Sequence, residues 1–140
     1  VRALAWLNAT PKPPAGSKRA KNPDAAPKLT RAEQMKATGI TPKMPRNPMP
    51  HIIERLAEIG FSEAAGMGVG PLTWTTIASW TNLTGVQIAA WEARLFRHLS
   101  LAYVTESRRA EDENCPAPWR APVSAKDRSA EDAALRALLR

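Results

Sequence analysis

Proline decides how this chain can be divided. Nine of its 13 prolines fall in residues 1–50, one in residues 51–114 and three in residues 115–140. Proline fixes φ and carries no N–H, so a stretch such as TPKPPAGSKRAKNPDAAPK sustains neither a helix nor a central strand. It also holds too few apolar side chains to offset the entropy of ordering it. Residues 10–28 are therefore expected to form an extended linker. Pro42, Pro45, Pro48 and Pro50 mark a second extended stretch. Between the two, Thr30-Arg31-Ala32-Glu33 has the form of a capping box that would start a short helix near residues 31–38. The opening RALAWL has the composition of the end of an apolar helix.

Charge divides the chain in the same way. Residues 1–50 carry ten basic and two acidic side chains, a net +8, whereas residues 51–114 carry five basic and eight acidic ones, a net −3. The overall +7 therefore belongs to the N-terminal segment, and the rest is close to neutral or acidic. A chain of 140 residues suffices for one domain and is too short for two separate cores. No 18-residue apolar run and no charged-then-apolar leader is present, so neither a membrane span nor a signal peptide is expected. One cysteine excludes an internal disulfide framework.

The apolar periodicity lies in residues 51–119. HIIERLAEI places Ile52, Ile53, Leu56 and Ile59 on one helical face, with Gly60 as its stop. Gly66, Gly68 and Gly70 alternate in a run that predicts a loop. Thr73 can cap a helix carrying Trp74, Ile77 and Trp80. After a break at Asn82–Gly85, Ile88, Trp91, Leu95, Leu99 and Tyr103 recur at spacings of three and four, an amphipathic stripe of about four turns. Trp91, Leu95 and Leu99 are expected in the core, with Glu92, Arg94, Arg97, Ser100 and Glu106 on the opposite face. Ser129-Ala130-Glu131-Asp132 can cap a last helix carrying Leu135, Leu138 and Leu139. No alternating strand pattern is visible. The expected fold is all-α, a small bundle of short helices with a disordered, basic, proline-rich N-terminal arm. Residues 1–50 are the arm, 51–119 the helical body, and 120–140 a linker and C-terminal helix.

Each chemical constellation fails on spacing. Cys115, His51 and His98 are the only soft or imidazole ligands, and a closed zinc site needs four ligands. No nucleophile, base and orienter share a helical face, and the acidic run before Cys115 disfavours a reactive thiolate. The glycine run has G-x-G but neither the lysine-serine/threonine pair nor the strand that a phosphate loop requires. No catalytic residue, metal or cofactor is assigned, and the chain is read as a non-enzymatic interaction protein. Lys12, Lys18, Arg19, Lys21, Lys28 and Arg31 form a basic arm able to make incidental polyanion contacts. It lacks the interleaved aromatics of a single-strand binder. The segment TTIASWTNLTGVQIAAWEARLF has a helix–turn–helix look, but its second helix opens on Val86, Gln87 and Ile88, with no base-reading side chain.

Gly66-Met67-Gly68, Pro71-Leu72-Thr73-Trp74, Trp80, Thr84-Gly85, Trp91-Glu92-Ala93-Arg94-Leu95, and Leu99-Ser100 with Tyr103 form a pattern. It resembles the tail assembly chaperones of long-tailed (siphovirus-type) bacteriophages, encoded just upstream of the tape-measure protein. The likeness covers roughly residues 50–119, half of the chain. It implies binding to tape-measure and tail-tube proteins during tail assembly in the host cytoplasm, together with an upstream chaperone segment. It also implies that a chain opening at Val1 in mid-helix is the downstream part and junction of a frameshifted longer form. On this reading Trp74, Ile77 and Trp80 are the candidate partner-facing ridge, in competition with a core role for at least two of them. A net charge of +8 exceeds what a protein-binding linker needs. A virion structural protein, at the head–tail joint or in the tail, is therefore the alternative, and a DNA-binding regulator a further one.

Overall fold

The computed structural model describes residues 1–22, 29–66, 68–119 and Arg136. Among these residues the chain is mostly helical, with one small antiparallel sheet. The elements run α1 (Arg2–Asn8), α2 (Arg31–Ala37), α3 (Pro50–Ile59), β1 (Glu63–Ala65), β2 (Gly68–Gly70), α4 (Trp74–Thr84) and α5 (Ala90–Ala110). The expected helix after Ser129 lies outside the described residues, apart from Arg136, which is helical and exposed.

Local sequence explains most helix boundaries. The Thr30 hydroxyl accepts the Glu33 N–H, and the Glu33 carboxylate accepts the Thr30 N–H at 2.7 Å, a complete capping box for α2. The Thr30 N–H first, and then the Thr30 hydroxyl donating to the same carboxylate at 2.8 Å, hold the Glu33 carboxyl below its ordinary pKa. Pro50 opens α3, where its missing N–H costs nothing. Thr73 caps α4 by accepting from Thr76 N at 3.2 Å. Gly85 ends α4 at φ 69°, a left-handed conformation that glycine adopts without strain. Glu92 supplies half a capping box to α5 by accepting the Ala89 N–H at 2.7 Å.

The core is formed by Ile52 and Leu56 of α3, Leu72 of the segment between β2 and α4, Ile77 and Trp80 of α4, and Phe96 of α5. Trp80 meets Phe96 edge to face, with centroids 6.3 Å apart. Ser100 joins three elements at the back of this core. Its hydroxyl accepts the Leu72 N–H and donates to the Phe61 carbonyl, each at 2.8 Å. Phe61 in turn stacks on Tyr103 at 4.9 Å.

Three expectations are corrected. The glycine run predicted as a loop forms the β1–β2 hairpin, pairing Glu63 with Gly70, Ala64 with Val69 and Ala65 with Gly68. Three-residue strands are too short to stand alone, and tertiary bonds anchor these. The Glu63 carboxylate accepts from Thr73 N at 3.1 Å and Thr76 Oγ1 at 2.5 Å, and Arg108 donates to the Val69 carbonyl at 2.9 Å. Glycine is required at position 70, where a Cβ would lie 2.7 Å from the Ala65 Cβ.

The second correction concerns α5. Its buried row is Glu92, Phe96, Ser100 and Val104, not Trp91, Leu95 and Leu99. Trp91 is 50% exposed, whereas Leu95 and Leu99 are half-buried and pack against the core, so the expectation fails outright only for Trp91. The helix is rotated toward its polar side because that side is satisfied locally. Arg55 pairs with Glu92 at 2.7 Å, Arg2 pairs with Glu106 at 2.8 Å, and Ser100 makes its two backbone bonds.

The third concerns the N-terminal arm. Its helix α1 packs on the body, whereas residues 14–22 and 36–50 are mostly exposed. α1 buries Ala3, Ala5 and Leu7 and lies against α5 and α2. Trp6 donates to the Cys115 carbonyl at 3.0 Å and meets Trp119 edge to face at 5.2 Å. Proline forbids the helix between α1 and α2, but not the packing of the helices it separates.

A pH prediction follows from Glu63. Hydrogen bonds from the Thr76 hydroxyl, then from the Thr73 N–H, hold its carboxyl below the ordinary 4.5. A carboxyl depressed on folding stabilises the fold above its unfolded pKa, and that contribution is lost as pH falls through the lower, folded value. The protection of the hairpin amides, relative to intrinsic exchange at the same pH, should therefore fall on acidification below the ordinary carboxylate value. Glu63→Gln should remove that step from the acid titration of hydrogen exchange. An unchanged step in Glu63→Gln would assign it elsewhere.

Candidate functional site

The residues expected to form a ridge divide between core and surface. Ile77 is 3% exposed and Trp80 9%, so both belong to the core. Trp74 is 52% exposed, and the Arg97 guanidinium lies 5.1 Å above its ring. α4 packs on α3 and α5 through Ile77 and Trp80, and this places Trp74 at the edge of that contact, in the first turn. Ile77 and Trp80 therefore take the core role expected for at least two of the three, and the ridge reduces to one surface indole, Trp74.

The basic segment is also divided. Arg31 is buried. It donates from Nη1 to the Ala110 carbonyl and from Nη2 to the Asp112 carbonyl at 2.7 Å, and its guanidinium lies 4.5 Å over the Trp6 ring. It thus satisfies the last carbonyls of α5, the end at which cations are favoured. Burial pushes its pKa below the ordinary arginine value, while the Cys115 and Asp112 side chains pull it back up. An arginine remains charged under such a shift. Lys12 pairs with Glu111 at 2.7 Å and Arg19 with Glu113 at 3.2 Å, both on the surface. Lys12 also forms a bridge with Asp112, its N–H reaching the Glu111 carbonyl at 2.7 Å. Lys18 and Lys21 are exposed, and Lys28 lies outside the described residues. The basic segment therefore spends three of its cations on the acidic end of α5. Charge that suggested a polyanion partner is partly answered within the chain.

The other chemistry-bearing residues are dispersed. His51 and His98 are exposed on different helices, and Cys115 is a free, half-buried thiol. Among the described residues no three of His, Cys, Asp and Glu gather in a group able to hold a metal ion. Also among them, no helix is long and apolar enough to cross a membrane.

The positions of the chaperone-like pattern have distinct structural roles. Leu72 and Trp80 fill the core, Thr73 and Glu92 cap helices, Gly85 ends one, and Ser100 ties Leu72 to Phe61. Met67 lies outside the described residues. Trp74 and Trp91 remain half exposed, one at the start of α4 and the other at the start of α5. The spacing of Trp91 matches Leu95 and Leu99 and so predicts a core position for it. Periodicity shows which residues share a face, but not whether another element covers that face. No family model, curated protein or solved structure matches the chain.

Proposed function

We propose that this chain is a non-enzymatic tail assembly chaperone of a long-tailed bacteriophage. On this reading it binds the tape-measure and tail-tube proteins while the tail is built in the host cytoplasm. The likeness of residues 50–119 to that family supports the reading. The observation that carries it is the division of roles within the likeness. Most of its positions serve the fold, whereas Trp74 and Trp91 keep half of their surface in water. A half-exposed indole is a costly group to leave unpartnered and a strong anchor once a partner covers it. Surface for a partner is what such a chaperone must offer.

The test is recovery of the tagged chain from cells assembling tails, with partners quantified by mass spectrometry. Tape-measure and tube proteins should be enriched, and the chain should be missing from purified particles. Trp74→Ala combined with Trp91→Ala should lower that recovery at least about tenfold, as expected for losing an aromatic anchor. The circular dichroism spectrum should not change. Stoichiometric presence in particles would replace this reading with the structural alternative, and recovery with specific DNA alone would replace it with a regulator.

A further inference from the structure

Leu95 and Leu99 of α5 pack against the core yet stay half-buried, and both also line an open groove. One hollow of about 380 Å³ lies between α1, α3, α5 and residues 44–49, lined by Leu4, Met44, Met49, Ile53, Leu95 and Leu99. A second, of about 420 Å³, shares Val1, Ala3, Pro45 and Leu99 with it and continues to Ala102 and Trp119. A third, of about 330 Å³, shares Arg2, His98 and Ala102 with the second and extends to Leu101 and Arg109. The groove thus follows α5 from Leu95 to Thr105, roughly 15 Å along the axis at the helical rise. Trp91 lies one turn beyond Leu95 on the same stripe and is half exposed, as is Leu101.

The charge on this groove is predominantly positive. Arg46 lines the first hollow and has no ion-pair partner among the described residues. Arg2 and Arg109 line the third, and both face the single carboxylate there, Glu106, at 2.8 and 3.7 Å. Three arginines against one buried carboxylate leave the groove cationic. A second copy of this groove would bring like charges together, so self-pairing is disfavoured. The lining repeats at helical spacing along α5, which suits ridges of another helix rather than an added strand. Met44 and Met49 at the rim are exposed and unbranched, and can adapt to the occupant.

We propose that this groove docks an amphipathic helix of a partner protein, with an apolar face flanked by glutamate or aspartate. The inference deepens the assembly-factor reading and rests on it only in taking the partner to be a protein. It assigns the binding to α1, α3 and α5 and gives the partner segment its chemistry.

The full chain would be titrated with a fluorescent helical peptide of about 20 residues, long enough to span the groove. Its leucines would sit at i, i+3, i+4 and i+7 and be flanked by glutamates. A second peptide would carry lysines in place of the glutamates. Saturable binding of the glutamate peptide is expected, at least about tenfold tighter than that of the lysine peptide. Arg46→Glu should remove the preference, because the groove then carries two arginines against two carboxylates, and Leu95→Asp should abolish binding. Should Leu95→Asp lose helicity, Ala102→Trp fills the groove without a buried charge and should block binding equally. Equal binding of both peptides, or none at about 1 mM, a level at which even weak recognition registers, overturns the proposal. So does a dimer in sedimentation that Leu95→Asp dissociates, because the groove would then belong to a second copy. Peptide binding without recovery of tail proteins from lysate would retain the groove and reject the tail reading.

Discussion

Replacing Phe96 with alanine should remove most of the stability of the body. Phe96 is fully buried at the centre of the core and presents its ring to the edge of Trp80. Truncating a buried phenylalanine costs about 3–5 kcal/mol, from lost transfer free energy and from the cavity left behind. Domains of ordinary stability have about 5–15 kcal/mol in total, and a core built from six side chains lies toward the low end. Urea unfolding followed by circular dichroism should show the midpoint falling by more than half, with loss of the near-ultraviolet signal of Trp80. Leu83→Ala is the control, because Leu83 is 88% exposed and a surface truncation should shift stability by no more than about 0.5 kcal/mol. A loss below about 1 kcal/mol for Phe96→Ala would contradict its place in the core.

Arg31→Ala should release the N-terminal segment without unfolding the body. The guanidinium is buried, bonds two carbonyls at the end of α5 and covers Trp6. Hydrogen bonds from a charged group contribute about 1.5–3 kcal/mol each, and the Ala110 carbonyl would be left without that donor. A local loss of about 3 kcal/mol raises the open population roughly a hundredfold. The neighbouring pairs Lys12–Glu111 and Arg19–Glu113 are exposed and contribute little. Hydrogen exchange should therefore accelerate in α1 and α2, while the amides around Phe96 stay protected. Arg31→Lys should not restore protection, because a lysine is a point charge and lacks the planar fork that spans two carbonyls. Equal acceleration in α4 and α5 would show that the segment and the body unfold as one unit.

Local rules were legible in the residues themselves. The capping box at Thr30 and Glu33, the cap at Thr73, the stops at Gly60 and Gly85, and the helical character of the body each depend on a few neighbouring side chains. Those interactions need no distant partner, so spacing and residue type suffice to identify them. The body core was legible for Ile52, Leu56, Ile77 and Trp80, where an apolar face coincides with the face that another helix covers.

The tertiary structure decided the rest. The hairpin at Glu63–Gly70 depends on Thr73, Thr76 and Arg108, none of which belongs to its own sequence pattern. Along α5 the choice of buried face depended on Arg2, Arg55, Phe61 and Leu72, distant residues that satisfy Glu106, Glu92 and Ser100. Once those polar groups were paired, burying them cost little, and the helix could turn its apolar stripe toward the groove instead. Arg31 likewise looked like one more cation of a basic arm, although two carbonyls at the end of α5 hold it. By itself the sequence determined where the helices of the body lie and which of their residues share a face, though α4 runs on to Thr84 and α5 starts only at Ala90. Which face is covered, and by what, depended on polar partners remote in the chain, because burial of a charged or polar group is decided by whether a partner is within reach.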